Sequence, residues 1–109
     1  MLILVSSPFS HKDKAIEAAR VEAVNNYVAE LTAQGIHAFS PITYGTILLK
    51  YKQMPSDWKF WKDFCEAFLI KCEELWVLKL DGWDTSEGVA AEIKFALDNN
   101  ITVKYVDIK

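Results

Sequence analysis

The stretch from Leu75 to Ile93, LWVLKLDGWDTSEGVAAEI, limits what this chain can become more than any other. Leu75, Trp76, Val77 and Leu78 form an uninterrupted apolar run that continues to Leu80, which predicts a strand over 75–80 buried on both faces. Asp81-Gly82 breaks the run and opens a turn over 81–85. Ser86 then stands where a helix N-cap belongs, and an apolar stripe of Val89, Ile93, Ala96 and Leu97 predicts a helix from Ser86 to Asn99. A strand buried on both sides needs a helical layer above and below it.

The remaining segments supply those layers. Leu2 to Ser6 predicts a first strand, stopped by Ser7-Pro8-Phe9-Ser10, where Pro8 removes a donor. A helix follows from about Asp13 to Ala33 with the stripe Ile16, Ala23, Val24, Tyr27, Leu31, closed by Gly35. Ile36 to Phe39 reads as a short strand ended by Ser40-Pro41-Ile42. Residues 43–56 fit a short helix plus loop, and their length suits a flap over a site, an irregular connector or a contact with another subunit. A helix capped by Ser56 or Asp57 runs to about Lys71, with Trp58, Trp61, Cys65, Phe68, Leu69 and Cys72 on one face. Residues 102–107 form the last strand.

Strands separated by helices pair in parallel with right-handed crossovers. The expectation is one domain over 1–109: an α/β, three-layer flavodoxin/Rossmann-like sandwich with a four-stranded parallel sheet of order 2-1-3-4. In such sheets ligands sit at the carboxyl ends of the strands. That edge gathers Ser7-Pro8-Phe9, Ser40-Pro41-Ile42 and the loop from Asp81 through Trp83 to Ser86.

Composition removes several classes of partner. The net charge of −3 comes without a basic run, which argues against polymeric nucleic acid. No apolar stretch approaches the roughly 20 residues that span a bilayer, and Met1 to Val5 is too short and lacks the basic flank of a signal peptide. Cys65 and Cys72 lie about 10 Å apart if they share a helix, too far for a disulfide. Two buried thiols suit a reducing cytoplasm. The histidines and cysteines are scattered, so neither a metal nor another cofactor is expected. His37, alone on its strand, reads as structural.

The chemistry concentrates at the start of the last helix. Unpaired N–H groups and the positive dipole end favour an anion at Ser86 and Gly88. Neither a Walker loop nor a dinucleotide fingerprint is present. Glu92 follows about one and a half turns on, roughly 80° from the centre of the apolar stripe, which places it at the edge of the core. Arg20 falls inside the stripe of its own helix. It either snorkels outward or pairs with a carboxylate, or it reaches the loop ends to order an acid or bind an anion.

The pattern SSPFSH after the first strand, FSPI after the second, W-x-x-W in the next helix and LDGW-x-x-S-x-G-V-x-x-E resembles a phage and bacterial family of uncharacterised domains (DUF1937). That family is similar to the nucleoside 2-deoxyribosyltransferases and the 2′-deoxynucleoside 5′-phosphate N-hydrolases. The resemblance spans nearly the whole chain and implies that Glu92 attacks the anomeric carbon of a nucleoside and expels its base. It implies that Ser86, where relatives acting on free nucleosides carry aspartate, helps bind a 5′-phosphate. Ser7, Phe9 and Ser40 would line the sugar and base pocket, and Arg20 would order the acids.

Two positions depart from the family pattern. The acid expected on the helix before the third strand falls at Cys65, with Asp81 or Asp84 as possible substitutes, and an expected histidine is Tyr44. The implied activity is an N-glycosidase or deoxyribosyltransferase on a (deoxy)nucleoside 5′-monophosphate. The alternative is a non-catalytic nucleotide-binding protein, a sponge or sensor. The implied partners are a small nucleotide or nucleoside and further copies of the chain in a homo-oligomer. Residues 44–62 hold aromatic and apolar side chains that so short a domain need not bury fully.

Overall fold

The computed structural model describes residues 1–108. Its strands are β1 (Leu2–Ser6), β2 (His37–Phe39), β3 (Glu74–Leu78) and β4 (Thr102–Val106), and its helices are α1 (Lys14–Ala33), α2 (Pro41–Leu48), α3 (Trp58–Leu69) and α4 (Glu87–Asp98). All strand pairs are parallel and the order is β2-β1-β3-β4, as the strand–helix alternation predicts. The central pair is in register from Ile3 opposite Glu74 to Ser6 opposite Val77.

Period-two alternation divides the sheet between two cores. Leu4, Leu75 and Val77 face α3 and α4, where they meet Leu69, Val89, Ala96 and Ile101. Val5 and Leu78 face α1, where they meet Val24, Leu31 and Leu80. This is the three-layer arrangement. Alternation also sends Ser6 to the side of Leu4, toward α3 and α4.

Several boundaries and faces differ from the sequence reading. Ser40-Pro41 ends β2 as expected, but Ser40 does more than stop the strand. It caps α2, accepting the Thr43 N–H at 3.1 Å, and Pro41 occupies the first helical position, where its missing N–H has no consequence. Residues 43–56 are the body of α2 followed by a connector, the short helix plus loop expected of them, with the helix starting earlier at Pro41. Ile16 is exposed, because the first turn of α1 carries it away from the core. On α4 the buried face is Val89, Glu92 and Ala96, whereas Leu97 faces solvent. A stripe read from apolar residues alone is centred too far round, since it counts Leu97 and discounts the glutamate. Cys65 is buried but Cys72 is only half-buried.

Between α2 and α3 lies a shelf of rings. Phe39 stacks on Phe68 at 4.6 Å between centroids, Tyr44 stacks on Phe64 at 5.6 Å, and Trp61 meets Phe64 edge-on at 5.1 Å. Tyr44, Ile47, Phe60 and Phe68 remain substantially exposed on it. Leu75, by contrast, lies at the centre of the α3/α4 core with no exposed surface. Leu75→Ala is expected to destabilise the domain by about 3 kcal/mol, and Tyr51→Ala by under about 0.5 kcal/mol. Urea unfolding of both variants would measure this, and similar midpoints would refute the core assignment.

Candidate functional site

Glu92 is 6% exposed, and its carboxyl group has left water for the space between α4, α3 and the end of β1. The Ser6 hydroxyl donates to its Oε1 at 2.5 Å. The Cys65 thiol stands beside the same carboxyl. Each partner arrives by simple periodicity: Ser6 is the last residue of β1 on the α3/α4 side, and Cys65 lies on the buried face of α3. Burial pushes the Glu92 carboxyl up to about 7, against the Ser6 hydroxyl and the neighbouring Cys65 thiol, which lower it. Burial, the adjacent Glu92 and Glu66 push the Cys65 thiol well above its ordinary range. The pair holds a carboxyl that changes charge near neutrality beside a thiol that keeps its proton.

Above this carboxyl, two loops are fastened together. The Arg20 guanidinium donates to the carbonyls of Ser10 at 2.9 Å, Phe9 at 3.4 Å and Asp81 at 3.1 Å. It therefore ties the β1–α1 loop to the β3–α4 loop, using its fork of donors on backbone oxygens rather than on an acid. Gly82 makes the approach possible. Its φ of +90° suits glycine, and a Cβ there would collide with the guanidinium.

The loop next feeds α4 through a single 3-10 turn at Trp83–Thr85. Ser86 caps α4, its hydroxyl accepting the Val89 N–H at 3.3 Å. The N–H groups of Glu87 and Gly88 are left without intrahelical partners, the arrangement that favours an anion. The Trp58 ring lies against Gly88, 3.4 Å from where a Cβ would stand.

These parts enclose a cavity of about 480 Å³. Glu92, Ser6 and Cys65 form its floor, the first turn of α4 one side, and Phe9, Trp58 and Trp61 contribute apolar walls. His11 and Asp57 stand nearer solvent at the mouth. Ser7 also lines the cavity, 6% exposed, with a hydroxyl that has no hydrogen-bond partner among the described residues. An unpaired buried hydroxyl is destabilising by about 1–3 kcal/mol, so a ligand group that satisfies it gains affinity.

Of the residues singled out from sequence, Glu92, Ser86, Gly88, Ser7, Phe9, Pro41 and Arg20 line this one cavity. Pro8 and Ser40 are buried behind it, Pro8 in the strand-end turn and Ser40 as a helix cap. Asp81 contributes its carbonyl to Arg20 while its side chain is exposed. Trp83 packs on Tyr105 of β4, at 5.6 Å between ring centroids, and does not line the cavity. Ser6, Cys65, Trp58 and Trp61 were not assigned to the site. For Ser6 the signal was available, because it shares strand parity with Leu4. Among the described residues, no group of three or more His, Cys, Asp or Glu is placed to hold a metal ion. None of their helices is long and apolar enough to cross a membrane.

Burying Glu92 has a thermodynamic consequence. Between its ordinary value of 4.5 and about 7, the folded chain binds a proton that the unfolded chain has lost. Stability therefore falls as pH rises through that window, by roughly 3 kcal/mol at most. Glu92→Gln removes this component. The variant is expected to gain stability relative to the parent between pH 5 and pH 8, as read from urea midpoints. A difference that does not change with pH would contradict a buried, near-neutral carboxyl.

Comparison with curated proteins finds no match. A family model, Domain of unknown function (DUF1937), matches residues 1–107, which includes every residue of the cavity. On that coverage, this chain belongs to the DUF1937 family.

Proposed function

We propose that the chain is an N-glycosidase or deoxyribosyltransferase acting on a nucleoside 5′-monophosphate, with Glu92 as nucleophile. The observation that carries this reading is the placement of Glu92: buried, hydrogen-bonded by Ser6 with Cys65 beside it, on the floor of a cavity whose side is a helix N-terminus. The similarity of the sequence pattern to nucleoside 2-deoxyribosyltransferases and 2′-deoxynucleoside 5′-phosphate N-hydrolases supports the same assignment.

In this mechanism the 5′-phosphate sits on the free N–H groups of Glu87 and Gly88, beside Ser86. That anchor sets the sugar over Glu92, which lies farther along the same helix. The carboxylate oxygen bonds to the anomeric carbon and the base departs with the electrons of the glycosidic bond. Water then cleaves the glycosyl ester in hydrolysis, or a second base does so in transfer. Ser6 holds the attacking oxygen in place. Ser7 offers its free hydroxyl to the sugar, and Phe9, Trp58 and Trp61 supply apolar surface for the base. Attack needs the ionised carboxylate, so the rate rises with pH through about 7.

Cys65 favours a second reading. It stands where the resemblance implies an acid for the leaving base, and a protein that binds nucleotides without cleaving them would have no use for that acid. One experiment separates the two. The protein is incubated with a panel of ribo- and deoxynucleoside 5′-monophosphates, and free base is measured by chromatography. Base release that drops by several orders of magnitude in Glu92→Gln is the expected result. Tight binding without turnover, unchanged in Glu92→Gln but lost in Ser86→Asp, would instead identify a binder. A chain that binds none of the panel would refute both.

A further inference from the structure

His11 lines the cavity from the β1–α1 loop, half-buried and nearer the mouth than Glu92. It is held at three points, all from α1 or its cap. Its N–H donates to Glu17 Oε2 at 2.9 Å, and the other oxygen of Glu17 is paired with Lys14 at 3.1 Å. Its Nδ1 accepts the Asp13 N–H at 2.9 Å, while the Asp13 carboxylate caps α1 by accepting the Ala15 N–H at 2.9 Å. The carbonyl of the preceding residue, Ser10, accepts from Arg20 at 2.9 Å. The histidine is therefore fixed from both sides, although it stands in a loop.

These bonds leave one ring atom over. An Nδ1 that accepts a backbone N–H carries no hydrogen of its own, so the imidazole hydrogen is on Nε2. Nε2 has no hydrogen-bond partner among the described residues. A donor whose ring is oriented beforehand needs no reorganisation when charge develops on a ligand beside it. Asp57 and Glu87 also line the opening. Their side chains are exposed, and neither is held by a hydrogen bond among the described residues. Of the three groups, His11 is the one built into a single orientation.

Displacement at the anomeric carbon puts the attacking oxygen and the departing base on opposite faces of the sugar. With Glu92 on the floor, the base leaves on the side of the mouth. We propose that His11 is a catalytic residue that serves the departing base, its Nε2–H donating to the acceptor atom next to the glycosidic nitrogen, O2 of a pyrimidine or N3 of a purine. The inference rests on Glu92 being the nucleophile. As a Glu92 oxygen bonds to the anomeric carbon, the carbon–nitrogen bond breaks and its electron pair passes to the base. That charge spreads to the acceptor atom, where the hydrogen bond from Nε2 strengthens. The freed base takes a proton from solvent. The water that cleaves the glycosyl ester returns one, and the carboxylate is restored.

A comparison of leaving groups on the full chain tests this. Base release from ribo- and deoxynucleoside 5′-monophosphates is measured beside nitrophenolate release from the 4-nitrophenyl glycosides of the same sugar phosphates. Nitrophenolate is a stable anion and departs without a donor. His11→Ala is expected to slow base release by at least about 100-fold, and nitrophenolate release by under about 5-fold. His11→Gln, whose amide nitrogen reaches the place of Nε2, is expected to recover most of the loss. Equal slowing of both leaving groups would make His11 a support of its loop and overturn the proposal. So would His11→Gln as slow as His11→Ala, or a loss confined to bases that appears in Asp57→Asn or Glu87→Gln instead. Base release that depends on Glu92 but is unchanged in His11→Ala would overturn the role of His11 and leave the glycosidase reading standing. No release from any nucleotide would overturn both.

Discussion

The hydrogen bond from Ser6 to Glu92 joins the end of the central strand to the middle of the last helix, and most of the arrangement around it follows from keeping that carboxyl dry. A glutamate side chain leaves water only where donors replace its hydration. Ser6 supplies one donor because the strand ends on the correct parity. Cys65 stands beside the carboxyl because α3 and α4 lie side by side on one face of the sheet. Moving β1 by a single residue would withdraw the Ser6 hydroxyl from the carboxyl. The two helices and β1 are thus held in register by a polar contact as well as by the apolar core around Leu4, Leu69 and Val89.

The loops above the carboxyl are fixed by a different device. Arg20 spans from α1 to two loops at the carboxyl edge of the sheet, and every contact it makes is with a main-chain oxygen. Such contacts constrain backbone position whatever the neighbouring side chains are. Gly82 completes the device, since both its positive φ and the close guanidinium exclude a side chain. With the loop held there, the chain turns into α4 at a set angle, and the free N–H groups of that helix face the same cavity as Glu92. The free N–H groups and the carboxyl are then a fixed distance apart along one rigid helix.

How far the sequence disclosed this depends on the kind of signal. Strand order and layer count were readable, because apolar runs of five residues alternating with 3.6-period segments admit few topologies. The edge carrying the site followed from that topology. The cap at Ser86 and the punctuation at Asp81-Gly82 are local signals and were equally plain. Pairings between residues distant in sequence were not readable. Ser6 and Glu92 are 86 positions apart, and nothing in either neighbourhood names the other. Arg20 was conspicuous as a charge inside an apolar stripe, but its partners are carbonyls, which every residue carries. Trp83 was misleading because adjacency in sequence placed it beside the cap, whereas the 3-10 turn directs it to Tyr105.

Cys65 shows why the identity of Glu92's neighbour matters. Two carboxyl groups in one dry site repel when both are charged, so one must keep its proton at neutral pH and the pair titrates as a unit. A thiol in that place avoids the conflict. It is about the right size, it donates weakly, and burial next to Glu92 keeps it protonated. Glu92 is then the one charge on the cavity floor, free to ionise near neutrality without sharing its proton. The floor of the cavity therefore pairs a carboxyl that changes charge near neutrality with a thiol that does not, and the two never compete for one proton.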